Sequence, residues 1–419
     1  MYRLLRLATV VLVAGVLALA VVTSLRFFLA ERWIATVSEP NLEKAVSLVP
    51  YHAVAWARLG ALRQRRGESA AALKALHRSL ELNRYNGPAW VEIALHWELE
   101  GDMQRSRQSL LEAVRVDGSY DSLWALANFC LRQGDSDGFW QAMRRALAHS
   151  RADPSVAFAL CWRASDDPDQ ILAKAIPDEP EINRHYFVFL LLNQHHAALA
   201  GAWRRLETSL RAQDLETGLR YCENLLGRGQ VEAAVRVWNR LSEAGLTPHQ
   251  PLNPAQGRLL TNGRLRFDPL GRAFDWVLQP TEGVISAVET ASGGNRLVIR
   301  LSGTHPETVE LLSQLAPAMP GRTYRLAFRY STSDLPPDTG LYWRLEDTAS
   351  LTPLGRLPSL PATDQNWSRQ SLVFRTGPRT RLVRLIFAYR RSSGTTRAEG
   401  SVSLADIELA SGEPAGSGS

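Results

Sequence analysis

The chain has 419 residues, 45% of them hydrophobic and 21% charged, enough apolar side chain for roughly two to three domains with their own cores. Its formal charge of +6 is carried by arginines interleaved with acidic residues in both halves, and no basic run is long enough for a nucleic-acid groove, so nucleic acid is excluded as a partner. Cys130, Cys161 and Cys222 are odd in number, widely spaced and set in apolar helical context, which reads as buried free thiols and not as a disulfide framework or zinc site.

From the N-terminus, Leu7 to Leu25 is an uncharged run of 19 residues bounded by Arg3 and Arg6 before it and Arg26 after it. That length spans a bilayer. Ala18-Leu19-Ala20 also offers the small-residue pattern of a cleaved signal peptide. Apolar residues continue past it through Val21, Val22 and Leu25, and Phe27, Phe28 and Trp33 come next as interfacial anchors, so an uncleaved anchor over residues 1–33 is favoured. A short arginine-bearing tail is normally retained inside, which predicts a single-pass protein of the inner membrane with its bulk in the periplasm or exterior.

Trp56, Trp90 and Trp124 then recur 34 residues apart, each followed four positions later by Gly60, Ala94 or Asn128. Gly67 and Gly101 keep the period, and Gly134 arrives one residue early. Trp56, Leu59 and Gly60 share one helix face at i, i+3 and i+4, which sets a large ring beside a residue small enough for a neighbouring helix to approach. Gly67 ends that helix, and Ser69 to Leu82 supplies the partner helix, with Ala72, Leu73, Leu76 and Leu80 mostly on one face. Neither helix buries its stripe alone, so successive hairpins must stack. The period and the order of large, small and turn residues resemble the tetratricopeptide repeat. That resemblance implies an α-solenoid whose concave surface holds a protein partner, with Trp56, Gly60, Trp90, Ala94 and Trp124 as repeat core.

Leu42, Ala45, Leu48 and Pro50 have the spacing of a second helix from a preceding unit, so the array begins soon after the membrane. Pro154 to Ala164 reads as a first helix with Phe158 at the tryptophan position, and Asp166-Asp167-Pro168 interrupts the helical pattern after it. Helix pairs are predicted again over 181–210 and 215–243, giving five or six hairpins within 34–245. Residues 246–259, broken by several prolines, read as a linker. Beyond it the apolar period changes to two, in Arg296–Leu301, Tyr324–Tyr330, Leu341–Glu346, Ser371–Arg375 and Leu382–Tyr389, which predicts an antiparallel β-sandwich over 260–410. The Gly-, Ser- and Pro-rich residues 411–419 read as a disordered tail. The predicted class is therefore α + β and multidomain.

Asn262-Gly263 before the first strand, Phe274-Asp275-Trp276 after it, Pro320-Gly321-Arg322-Thr323-Tyr324 entering a central strand, Trp367, and Ser403-Leu404-Ala405-Asp406-Ile407 in a closing strand resemble the carbohydrate-binding modules of the galactose-binding, jelly-roll kind. The resemblance covers about 150 residues and implies a fold that often binds glycan, frequently with a structural calcium ion. Here the acidic residue that usually follows the first Asn-Gly is replaced by Arg264 and Arg266, which counts against calcium, although Asp406 remains.

Sugar stacks on exposed aromatic faces ringed by polar side chains. Alternation puts Tyr324, Leu326, Phe328 and Tyr330 in the core, and Leu341, Trp343 and Leu345 likewise. Tyr342, Arg344 and Glu346 are then left on the opposite face as a candidate glycan platform, which Arg300, Arg375 and Arg384 can join in a form suited to an acidic polymer. A plain solvated sheet face is the competing explanation of these arginines. The sequence carries no Gly-x-Ser-x-Gly elbow, phosphate loop or His-Glu-x-x-His pair. Adjacent His195 and His196 point apart on a helix, and Asp166, Asp167 and Asp169 lack the glycine and glutamate of a calcium loop. No catalytic, cofactor or metal residues are assigned. The expected function is a membrane-anchored, non-enzymatic scaffold for bacterial exopolysaccharide or O-antigen assembly or export, holding membrane-embedded machinery on its repeats. A glycan-active enzyme and an envelope-assembly factor without a sugar role remain alternatives.

Overall fold

The computed structural model describes residues 2–36, 38–291 and 294–411. The chain forms two compact units, Met1–Leu206 and Glu207–Ser419.

The first unit opens with α1 (Tyr2–Ala35). Its segment Thr9–Ala35 holds an 18-residue stretch with a mean hydropathy of 2.3 and is long and apolar enough to cross a membrane. The last turns are folded into the array: Ala30 and Ile34 share a core with Leu42 and Ala45 of α2 (Glu39–Leu48) and Leu59 of α3 (Ala53–Arg65). Arg26 donates to the Leu48 carbonyl at 2.7 Å, Arg58 to that of Ile34 at 2.9 Å, and His52 Nε2 lies 2.8 Å from Glu31. The boundary expected after residue 33 therefore falls inside one helix. Trp33 packs on that core, so it is not a free interfacial anchor.

Three hairpins come next: α3 with α4 (Ser69–Leu82), α5 (Gly87–Leu99) with α6 (Met103–Val116), and α7 (Tyr120–Arg132) with α8 (Ser136–Ala148). Gly67, Gly101 and Gly134 turn each hairpin at φ of 80°, 83° and 71°, a backbone region that costs glycine nothing. A Cβ on Gly60 would lie 2.6 Å from Leu76 Cγ and 3.1 Å from the Ala72 carbonyl, so helices α3 and α4 touch there. The repeat tryptophans are half-buried staples. Trp56 Nε1 donates to the Pro50 carbonyl at 2.9 Å and Trp90 Nε1 to that of Arg84 at 3.1 Å, each six residues back. Trp124 instead stacks on Tyr120, its ring 6.0 Å away.

The unit closes with α9 (Ser155–Ala164), α10 (Pro168–Lys174), α11 (Pro180–Leu192) and α12 (His196–Leu206). The acidic turn expected to interrupt the helices starts one: Asp167 accepts the N–H groups of Asp169 and Gln170 at 2.9 and 3.1 Å, with Pro168 in the first turn. Phe158 is fully buried at the tryptophan position. Cys130, Cys161 and Cys222 are buried and free. Burial raises all three thiol pKa values, that of Cys161 to about 12.

The second unit contains the last hairpin, α13 (Leu215–Gly227) with α14 (Val231–Glu243), and two five-stranded antiparallel sheets. One sheet has the order β1-β4-β9-β6-β7, from β1 (Val277–Leu278), β4 (Thr308–Pro317), β9 (Leu382–Arg390), β6 (Leu341–Asp347) and β7 (Pro353–Arg356). The other has the order β2-β3-β10-β5-β8, from β2 (Val284–Ala291), β3 (Gly294–Ser302), β10 (Glu399–Ser411), β5 (Thr323–Ser333) and β8 (Ser368–Arg375). Their facing sides bury Leu326, Phe328, Tyr330, Trp343, Phe387 and Trp276 in one core, whereas Trp367 is 39% exposed under the Arg329 guanidinium.

The segment expected as a linker is packed. Thr247, His249, Leu252 and Leu259 are buried, Asn239 holds both the N–H and the carbonyl of Leu252, at 2.7 and 2.8 Å, and His249 Nε2 meets buried Asp275 at 3.1 Å. Prolines mark where helix stops, but they do not say whether the loop is solvated. Of the tail, residues 412–419 lie outside the described residues.

Candidate functional site

Within the first unit, contacts between α3 and α5 and between α5 and α7 align the first helices of the hairpins along one side. A groove of about 490 Å³ runs across them, lined by Gln64, Arg65, Glu92, Leu95, Glu98, Leu99 and Arg132. Gln64, Glu98 and Arg132 occupy one position in three successive repeats. Arg132 grips Glu98 through two bonds of 2.7 and 2.8 Å. Glu92, Leu95 and Leu99 form a second stripe of α5 at i, i+3 and i+7, apart from the core stripe of Ile93 and Ala94. Leu99 is 77% exposed. Burial raises the Glu92 carboxyl pKa, partly offset by Arg65, so the groove holds a carboxylate that gains from an incoming cation. The repeat clock placed these helices; the exposed second stripe was the overlooked signal.

In the second unit, Tyr342, Arg344 and Glu346 of β6 and Arg384 of β9 share the outer face of the first sheet, with Glu346 directly opposite Arg384. Arg300 and Arg375 do not join them, because β3 and β8 belong to the other sheet. Tyr342 is only 7% exposed: it packs with Ile386 and Ala388, and the Arg356 guanidinium covers its ring 4.1 Å from the centroid. Glu310 of β4 was absent from the sequence-based set, because a bulge between Glu310 and Leu312 breaks the alternation of that strand. It bonds both Arg344 and, at 2.6 Å, Arg384. Glu346 completes the ring with Arg344 at 2.8 Å and Arg384 at 3.5 Å. Two guanidiniums and two carboxylates therefore cancel, which leaves the platform without a net charge for an anion.

Arg384 continues into a cleft of about 740 Å³ between this sheet and the last hairpin, walled by Leu226 and Val231 and floored by Ser313 and Leu315. Arg272 holds the hairpin in place through Glu216 and Glu223. Asp406, the acidic residue that the resemblance left for calcium, pairs with Arg329 at 3.1 Å. Among the described residues no three His, Cys, Asp or Glu side chains gather for a metal. His195 stacks on Trp162 at 3.9 Å, and burial lowers its pKa.

No protein-family model and no curated protein matches the sequence. Among solved structures, a carbohydrate-binding module of the CBM4 group is similar over 36% of this chain and 98% of its own, at 12% identity and a TM-score of 0.29. A module of Cellvibrio mixtus lichenase 5A, solved with cellotriose, is similar over 32% of this chain and 92% of its own, at 14% identity and a TM-score of 0.21. A tetratricopeptide protein of Thermus thermophilus is similar over 34% of this chain and 78% of its own, at 20% identity and a TM-score of 0.28. The molecule is a tetratricopeptide-like solenoid with an apolar N-terminal helix, followed by a jelly-roll sandwich like those of carbohydrate-binding modules.

Proposed function

We propose that this protein is a membrane-anchored, non-enzymatic scaffold whose repeat groove holds a segment of a membrane-associated protein and whose sandwich contacts saccharide during cell-surface polysaccharide assembly. The observation that carries the reading is the groove across α3, α5 and α7: exposed Leu95 and Leu99 beside the half-buried carboxylate of Glu92 suit a peptide with apolar and basic side chains. Apolar side chains exposed around α1 from Leu7 to Leu25 support anchoring, since lipid is the solvent that covers such a surface. The charge-neutral lattice of Arg344, Arg384, Glu310 and Glu346 supports a hydroxyl-rich ligand in the adjoining cleft, and its residues bind without cleaving.

The test is co-purification from detergent-solubilised membranes. Leu95→Glu with Leu99→Glu should lose the partner while the variant keeps its membrane fraction and helical content. Retention of the same partner by the double variant contradicts the groove assignment.

A further inference from the structure

The sandwich carries a second cleft, of about 690 Å³, with a different electrostatic character. Elsewhere on the sandwich several arginines are neutralised in place: Arg296 and Arg300 by Glu289, Arg329 by Asp406, Arg344 and Arg384 by Glu310 and Glu346, and Arg391 by Glu307. Arg258, Arg264 and Arg266 line this one cleft together. They are exposed, and among the described residues no carboxylate pairs with any of them. The one acidic side chain in the lining, Glu408, lies 4.0 Å from Arg369. Exposed guanidiniums that outnumber the one carboxylate of the cleft repel one another, and an anion relieves that cost.

The loop that presents them is fixed from several sides. Asn262 donates to the Phe267 carbonyl at 2.8 Å and accepts its N–H at 3.3 Å. Asn295 donates to the Leu265 carbonyl at 2.8 Å, and Trp276 Nε1 to that of Asn262 at 3.2 Å. Leu265 is fully buried between the two arginines, so both project outward from a loop that needs no reordering on binding. Phe267, 42% exposed on the same wall, adds a flat apolar face of the kind a pyranose stacks on.

We infer that this cleft binds an acidic saccharide, the arginines taking the carboxylate of a uronic acid and Phe267 one face of a ring. The site belongs to residues 248–267 and 407–409 and does not depend on the platform of the other sheet. The full chain in detergent is titrated calorimetrically with tetragalacturonate, with its methyl ester, in which the sugar is kept and the charge removed, and with inorganic phosphate. Tetragalacturonate should bind, more weakly as salt rises, and the ester should bind about tenfold or more weakly. Arg264→Gln with Arg266→Gln should weaken the acidic ligand by a similar factor with the near-ultraviolet dichroism unchanged, as should Phe267→Ala. The control variant Arg390→Gln, at an exposed arginine of β9 on the other sheet and outside the cleft, should leave it unaltered. Equal binding of ester and acid, no binding of the acid, full affinity in the double arginine variant, or displacement by equimolar phosphate overturns the inference.

Discussion

Gly60 shows how one side chain sets the spacing of the repeat array. With Leu76 2.6 Å from where its Cβ would sit, any larger residue must push α3 off α4 or force a leucine out of its rotamer. Gly60→Val should destabilise the protein by about 1–3 kcal/mol, seen as a lowered unfolding temperature of the full chain in detergent; an unchanged temperature would mean that the two helices are not in contact. Residues of this kind were legible in the sequence, because Trp56 and Gly60 recur with the period as Trp90 and Ala94. Glu310 was not legible. Its meaning comes from Arg344 and Arg384, which lie 34 and 74 positions later, and one sequence does not report which strands become neighbours. The covering of Tyr342 by Arg356 escaped for the same reason.

At the level of elements, hairpins and long strands followed their periods, so α4, α9 and α13–α14 and the alternating cores of β5 and β6 fall where the pattern put them. Short or irregular pieces did not: β7 has four residues, β4 carries a bulge, and α10 begins at the proline that seemed to end a helix. Turn chemistry nevertheless makes a measurable contribution. Asp347, at the end of β6, accepts the N–H groups of Ala349 and Ser350 at 2.8 and 3.1 Å and the hydroxyl of Thr380. Burial alone would raise its pKa, but these hydrogen bonds outweigh it and hold the carboxyl below its ordinary value. A depressed folded-state pKa contributes stability that is fully present above the unfolded value, about 3.9, and is lost as pH falls through the folded one. Thermal unfolding of the sandwich should therefore shift downward below about pH 4 in the native chain and less so in Asp347→Asn. Parallel shifts in both proteins would remove Asp347 from the account.

For the whole molecule, the apolar N-terminal helix and the repeat array are not separable pieces. The last turns of α1 supply core residues to α2 and α3, so a chain cleaved after Ala20 would keep that packing, while an intact one carries its array on a continuous helical stem. The linker is likewise a packed joint within Glu207–Ser419, and the last hairpin belongs with the sandwich. Composition and period revealed which parts exist; how they are joined depended on buried pairs such as His249 with Asp275, which no local pattern announces.

The most direct test of the scaffold is site-specific photo-crosslinking in intact cells, with a photoreactive residue at Leu99 in the groove and, as control, at exposed Val373 of β8. The account predicts a discrete adduct with a membrane-associated protein from position 99 and none with that protein from position 373. Absence of any adduct from position 99, or the same adduct from both, would contradict it.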